Sequence, residues 1–285
     1  MGNPIGWCDR TWNVVTGCSH VSPGCDHCYA EVFAHRLQAM GQERYAHGFK
    51  VTCHADDEEL LNQPLTWRKP QRVFVCSMGD LFHQDVPWRF IKAVFETMRS
   101  CPQHTFLLLT KRPGRMAYFA NTYWPTAGST GAEVATWPAN VWAGTSVESQ
   151  KYAPRLDVLA RVPAAVRFVS AEPLLGPLDI RDWLPGWGAA GTTHENPHGT
   201  ERWDLDGTLA NAVDWVICGC ESGPDRRPFH EDWVRSLRDQ CKAADVPLFY
   251  KQGTQAVVDS RGRLTSKVVH LPLLDGVQHQ EAPNV

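Results

Sequence analysis

The sequence predicts an α/β fold, a full or partial (β/α) barrel of parallel strands with long rim loops. Three observations lead there. Short apolar or β-branched runs recur along the chain, amphipathic helical patterns fall between them, and each run ends in polar residues. Strands of a parallel sheet are buried on both faces, so they read as unbroken apolar runs, and the helices that cover them carry one apolar stripe. Seven such strands are expected, over 13–16, 72–76, 105–109, 140–143, 166–169, 214–218 and 247–250.

The helices follow from spacing. Residues 29–40 put Phe33, Leu37 and Met40 on one face, and Gly41 stops the pattern. Ile91, Val94, Phe95 and Met98 share a face over 87–100, Tyr152, Leu156 and Leu159 over 151–161, and Trp233, Leu237 and Cys241 over 231–244. Two stretches, 119–139 and 182–211, are rich in Gly, Thr, Trp, Pro and His and break this rhythm. They read as rim insertions, since loops of that length inside a domain usually carry function or lack order. Residues 1–270 are expected to form one barrel, and 271–285 a tail that frays.

Composition narrows the function. With 43% hydrophobic and 21% charged residues in 285, the chain can bury a sizeable core, which excludes a disordered chain and a charge-rich coiled coil. A net charge of −3 excludes a strongly basic nucleic-acid coat, though not a local basic channel. The longest apolar runs, such as 106–109 and 215–218, fall far short of the roughly 18 residues that span a bilayer, so no membrane partner is expected. The opening MGNPIGWCDR has no basic segment followed by an apolar one, so no signal peptide is expected and the cytoplasm is the expected compartment.

Ten cysteines without an export signal point to metal or redox work or to burial, not to a disulfide scaffold. Seven are scattered or lie in apolar runs, as small buried hydrophobes do. Cys18, Cys25 and Cys28 differ: they share TGCSHVSPGCDHCYAE, a loop-like segment (cluster loop 16–31) with the spacing C-x6-C-x2-C. Three thiolates on one loop select zinc, copper(I) or an iron–sulfur cluster. Structural zinc wants four ligands, usually as two close pairs, and only one close pair exists, so His20 or His27 would have to complete the set. Three cysteines with no fourth fit better a [4Fe–4S] cluster with one iron left open to a small-molecule ligand. A chance grouping is the remaining reading.

In a parallel barrel, chemistry gathers at the carboxyl ends of the strands. The expected tips are Thr16-Gly17-Cys18, Ser77-Met78-Gly79-Asp80, Thr110-Lys111-Arg112, Gly144-Thr145-Ser146-Val147-Glu148, Ser170-Ala171-Glu172-Pro173, Gly219-Cys220-Glu221-Ser222-Gly223 and Lys251-Gln252-Gly253. Strand ends are polar anyway where they meet water and cap the next helix. Seven polar tips on one rim, one with the cysteine triplet, go beyond that. Lys111, Glu221 and Lys251 are the candidate catalytic groups. His83 and His230 read as structural histidines or as pocket proton donors, and the doublets Lys111-Arg112 and Arg226-Arg227 as solvated faces or rests for a carboxylate or phosphate.

The segments TWNVVTGCSHVSPGCDHCYAE, PLTWRKPQRVFVCSMGDLFH, LLLTKRPGRM, GTSVESQ, RFVSAEPLLGPLD and DWVICGCESGPDRRPFHEDWVRSLRDQC together resemble the phage Gp37/Gp68 family, also called DUF5131 and regarded as radical S-adenosylmethionine-like. The resemblance runs from about Trp12 to Gln252. It implies a barrel of the radical S-adenosylmethionine type, a [4Fe–4S] cluster held by Cys18, Cys25 and Cys28, and S-adenosyl-L-methionine chelating the open iron. Reductive cleavage would then release a 5′-deoxyadenosyl radical that takes hydrogen from a substrate. By analogy Ser77, Met78, Gly79 and Asp80 look like the methionine amine contact, and Ser146, Glu148 and Glu172 like ribose or methionine contacts. The implied partners are a small-molecule or nucleotide substrate and a reductase or flavodoxin-like electron donor. Nucleic acid is a further partner class, and the host cytoplasm is the setting if the chain is phage-encoded. The chain departs from the wider superfamily in its six-residue first gap and in His27 before Cys28. It departs from the family's GGESG at Cys220 and from its KQWG after Gln252.

Three functions follow. A radical enzyme leads, a nucleobase or nucleotide in phage DNA modification being one substrate class, with Trp124, Trp137, Trp187 and Trp203 able to stack a base or, more simply, to pack the loops. A non-catalytic zinc or iron–sulfur module that binds nucleic acid or protein is the second. A lyase-like repair enzyme acting on DNA photoproducts is the third.

Overall fold

The computed structural model describes residues 5–124, 136–186, 212–223, 225–258, 260–261 and 263–283. Its strands are β1 (Arg10–Trp12), β2 (Val15–Thr16), β3 (Thr52–Cys53), β4 (Arg72–Val75), β5 (Thr105–Thr110), β6 (Val141–Ser146), β7 (Arg167–Ala171), β8 (Trp215–Gly219), β9 (Leu248–Val258), β10 (Leu264–His270), β11 (Leu273–Leu274) and β12 (Val277–Gln278). Its α-helices are α1 (Tyr29–Ala39), α2 (Glu58–Leu61), α3 (Trp88–Arg99), α4 (Pro113–Tyr118), α5 (Arg155–Leu159) and α6 (Glu231–Ala243). The main sheet has eight strands in the order β1-β4-β5-β6-β7-β8-β9-β10. The first seven are parallel, and β10 turns back antiparallel on β9.

Alternate residues of each strand supply two cores. One face packs Val75, Leu108, Val169 and Val216 against the helices, with Ile91, Val94, Phe95 and Met98 of α3 opposite them, as the spacing predicts. The other face carries Phe74, Leu107, Trp142, Phe168, Trp215 and Phe249 in one cluster with Trp7, whose ring meets Phe74, Phe168 and Trp215. That single ring measures the curvature. Its centroid lies 4.6 Å from Phe74 on β4 and 6.3 Å from Trp215 on β8. Four strand spacings separate β4 from β8, about 19 Å in a flat sheet, so the sheet curls strongly and Trp7 fills its concave side. Gly144 on β6 serves the same packing, since a Cβ there would stand 2.4 Å from the Phe168 ring on β7.

Several expectations are corrected. The strand expected over 13–16 is only the two-residue β2, which pairs antiparallel with β3 outside the main sheet, and the first strand of the main sheet is β1, just before that range. The turn between β1 and β2 is fixed by Asn13, whose Oδ1 accepts from Ser77 Oγ and from the Met78 amide, each at 3.1 Å. Helix α1 does not bury Phe33 and Met40, which are exposed. Its packed face is Ala30 and Ala34 against Phe49 and Met78, because small side chains allow a close approach. The helix expected over 151–161 is a 3-10 turn followed by α5, with Pro154 between them.

Lys251, Gln252 and Gly253 are not a strand end. They lie in mid-β9, beside a register shift between Cys218 and Gly219. Of the two expected rim insertions, 119–123 continues α4 as a π-helical turn and 181–183 is a 3-10 turn, whereas 125–135 and 187–211 lie outside the described residues. Trp124 and Trp137 are buried against Phe95, so neither offers a face for a base, and Trp187 and Trp203 lie outside the described residues. Within 271–283 the tail is packed: the Tyr250 amide donates to His279 O, Trp215 Nε1 donates to Glu281 O, and Asp275 accepts from both Arg235 and Arg238. Among the described residues no helix is long and apolar enough to cross a membrane.

Emptying the concave side should be costly. Trp7→Ala is expected to lower unfolding free energy by about 3–5 kcal/mol, read as a shifted urea midpoint at unchanged slope.

Candidate functional site

The cysteine loop starts where two strand tips touch through their backbones. Gly17 has φ +79°, and a Cβ on it would stand 2.3 Å from Lys50 O, so no other residue fits without displacement. Its amide donates to Met78 O at 2.9 Å, and Gly17 pairs with Gly79 as an isolated parallel bridge. A Cβ on Gly79 would stand 2.8 Å from Val15 O. Cys18 therefore emerges against the Ser77–Asp80 turn. Pro23–Cys25 forms a 3-10 turn, and Cys28 caps the amino end of α1. The Tyr29 hydroxyl then ties α1 to the turn, donating to Ser77 O at 2.6 Å.

Cys18, Cys25 and Cys28 all line one cavity of about 550 Å³, a size typical of small-ligand sites. Tyr29 and Phe33 of α1 contribute to its wall, with Ser77, Met78, Gly79, Asp80, Lys111, Ser146, Glu172, Cys220 and Glu221 from the tips and Lys251 from mid-β9. Glu148, by contrast, lies outside the lining, wholly buried behind Gly24. Burial pushes the Cys28 thiol up, opposed by the Ala30 and Glu31 amides at the helix start and by the Lys111 charge. Burial, with Asp80 nearby, also pushes Cys18 up, and Arg112 opposes both. Two further thiols face the cavity but are of another kind. Burial pushes Cys220 to about 11 and Cys76 to about 12, so both stay protonated at neutral pH.

Four carboxylates at four strand tips are each met by a cation. Asp80 takes Arg112 Nη1 at 2.8 Å and the Thr110 hydroxyl at 2.8 Å. Glu148 takes Arg155 at 2.9 Å, and Glu172 takes Lys251 Nζ at 3.0 Å. Glu221 accepts from the Arg227 guanidinium through Oε1 and from the Arg227 amide through Oε2 at 2.6 Å, with His27 Nδ1 at 3.3 Å. Arg227 in turn donates to Pro23 O at 2.7 Å and faces Asp26 at 3.5 Å, so this pair clamps the β8 tip onto the cysteine loop. Burial opposes the Glu221 charge, but the Arg227 hydrogen bonds outweigh it and hold the carboxyl below its usual range.

Among the candidate catalytic groups, Lys111 and Lys251 face the cavity, Lys251 in its ion pair, and Glu221 is held by the clamp. His83 is buried. Its Nδ1 accepts from the Asp85 amide, and its Nε2 meets Ser19 Oγ at 2.7 Å. His230 stacks edge-on against Trp233 at 4.9 Å and Arg226 turns to Ser266, both away from the lining. Sequence reading missed Asn13, Tyr29 and Arg227 as organisers of the loop. Arg227 alone carried a signal, as half of a basic doublet. Among the described residues no three His, Cys, Asp or Glu side chains form a group that could hold a metal ion. The three loop thiols instead line the wall of the cavity separately. His20, one proposed completing ligand, turns to Glu31 at 2.8 Å, and His27 turns to Glu221.

A family model described as "Protein of unknown function (DUF5131)" matches residues 2–283. No curated protein matches the chain. Solved structures similar to it include two of spore photoproduct lyase, one complexed with dinucleoside spore photoproduct and one, a mutant form, with bound AdoMet and dinucleoside spore photoproduct. Each shows a TM-score of 0.45 and 11% identity, covering 91% of this chain and 68% of the other.

The clamp sets a pH signature. Glu221 has its pKa depressed on folding, so its contribution is complete above the unfolded value and is lost as the pH falls through the folded one. The stability gap between wild type and Glu221→Gln should hold steady from about pH 7 to about pH 5 and narrow toward about pH 3 in urea titrations. A gap independent of pH would mean that the carboxylate charge contributes nothing.

Proposed function

The chain belongs to the DUF5131 family, and from that premise we propose that it is a radical S-adenosylmethionine enzyme built on a curled, partial (β/α) barrel. The observation that carries the reading is the set of three thiols, Cys18, Cys25 and Cys28, on one anchored loop at the wall of a single ligand-sized cavity. The donor set fits a [4Fe–4S] cluster, in which each thiolate meets a different iron and the fourth iron is left to a ligand. It fits a structural zinc less well, since that wants four ligands and the two histidines of the loop turn to Glu31 and Glu221. When bound, the cluster and S-adenosyl-L-methionine would supply a 5′-deoxyadenosyl radical that takes hydrogen from the substrate.

The chain's own residues have separable tasks. The Ser77–Gly79 turn lines the cavity beside Cys18, and the second lone pairs of its Ser77 and Met78 carbonyls, which already accept from Tyr29 and Gly17, suit the amine of the methionine part. Ser146 and Glu172 line the same cavity and suit hydroxyl contacts. Asp80 and Glu148, each paired with an arginine, act by fixing neighbours. Lys111 faces the cavity and acts electrostatically on Cys28, where it offsets the charge of a thiolate. Tyr29, Phe33, Phe74 and Leu109 give the cavity a mostly apolar wall suited to the adenine and ribose faces of the nucleotide. Because one cavity of about 550 Å³ must take S-adenosyl-L-methionine as well, the substrate that suits it is a small molecule or a single nucleotide. A reductase or flavodoxin-like protein would supply the electron.

Anaerobic purification should give a brown protein with about four irons and four sulfides per chain. Dithionite and S-adenosyl-L-methionine should then yield 5′-deoxyadenosine, and Cys25→Ala should lose both cluster and cleavage. A colourless zinc protein would sink the proposal.

A further inference from the structure

The three thiols are not equivalent. Cys25 Sγ has the Ser22 hydroxyl at 4.0 Å, and Cys28 faces helix amides. Cys18 alone has a cation on its sulfur: Arg112 Nη1 donates to Cys18 Sγ at 3.3 Å. The same nitrogen donates to Asp80 Oδ2 at 2.8 Å, and Nη2 donates to Ser19 O at 3.0 Å and to Ser19 Oγ at 2.9 Å. Nothing about this placement is loose. The Arg112 amide donates to Thr110 Oγ1 at 2.9 Å, the Thr110 hydroxyl donates to Asp80, and the Phe82 amide fills Asp80 Oδ1 at 2.9 Å. Thr145 Oγ1 on β6 anchors Thr110 O at 2.8 Å, and His83 meets Ser19 Oγ from the other side. Tips of three strands and a buried carboxylate thus serve to aim one guanidinium at one sulfur.

We propose that Arg112 is a tuning residue that raises the reduction potential of the cluster through its N–H···S bond to Cys18, with Asp80 and Thr110 positioning it. This rests on the radical-enzyme reading above. Reduction adds negative charge that spreads over the cluster and its ligating sulfurs. A positively charged N–H donor on one of those sulfurs stabilises the reduced form more than the oxidised one. The planar fork of arginine can hold the sulfur, the carboxylate and the loop carbonyl together, which a lysine cannot.

The test is an EPR-monitored redox titration of the anaerobically loaded full chain, without S-adenosyl-L-methionine, alongside iron and sulfide analysis. Arg112→Ala should keep its iron yet show a midpoint shifted to more negative potential, and Arg112→Lys, which restores the charge, should recover part of the shift. A fully loaded Arg112→Ala with the wild-type midpoint overturns the proposal. If Arg112→Ala fails to load, Arg112→Gln, which keeps an N–H donor without the charge, is read by the same rule: a lower midpoint supports the role and an unchanged one overturns it. A wild-type chain that takes up no iron and sulfide overturns the radical-enzyme reading itself, an outcome distinct from an unmoved midpoint.

Discussion

Charge removed from water is the constraint that orders this rim. A carboxylate carried to the end of a buried strand is stable there only if a cation and hydrogen bonds meet it. Asp80, Glu148, Glu172 and Glu221 each satisfy that condition with a different partner, drawn from the end of β5, α5, β9 and the segment before α6. Three of the partners are arginines, whose fixed forks also reach backbone carbonyls: Arg155 to Ser146 O, Arg227 to Pro23 O, Arg112 to Ser19 O. Each pair therefore links secondary-structure elements as well as neutralising a charge. Ser146 and Lys111 line the cavity outside these four pairs.

The cysteine loop inherits its shape from those links. Its root is the contact between Gly17 and Gly79, its middle is gripped by Arg227 at Pro23, and its end is tied by Tyr29 to Ser77 O. A loop rich in Gly, Ser and Pro has little order of its own. Fixed at three points, it presents its sulfurs without first losing that freedom on binding, the usual source of tight binding in a preformed site.

How much of this was legible depends on whether a signal was local. The parallel strands from β4 to β9 could be read, since an unbroken apolar run is a local property, and so could the buried face of α3. The packed face of α1 could not, because the larger apolar side chains Phe33 and Met40 outweigh Ala30 and Ala34 in any count, yet only the alanines permit close contact with Phe49 and Met78. The bend at Asn13, which hid β1, depends on Ser77 and Met78, far along the chain. The role of Glu221 depends on Arg227 and on the loop at Pro23. In the same way Lys251 looks like a strand end until β10 is seen to pair with β9 beyond it. Sequence identified which residue types reach the rim. Which of them are already committed to one another is a matter of tertiary neighbours, and no spacing rule encodes it.

Trp7 has a consequence of another kind. Its ring precedes every strand it touches, and its partners on β4, β7 and β8 are spread along most of the polypeptide. During synthesis the indole stays without its final neighbours until β8 has left the ribosome, so the concave layer is completed late, around a residue made before all of its partners. The nascent chain thus carries an indole only partly covered, by Phe74, while some two hundred further residues are added, so the concave layer closes through contacts distant in sequence, the slow kind in folding.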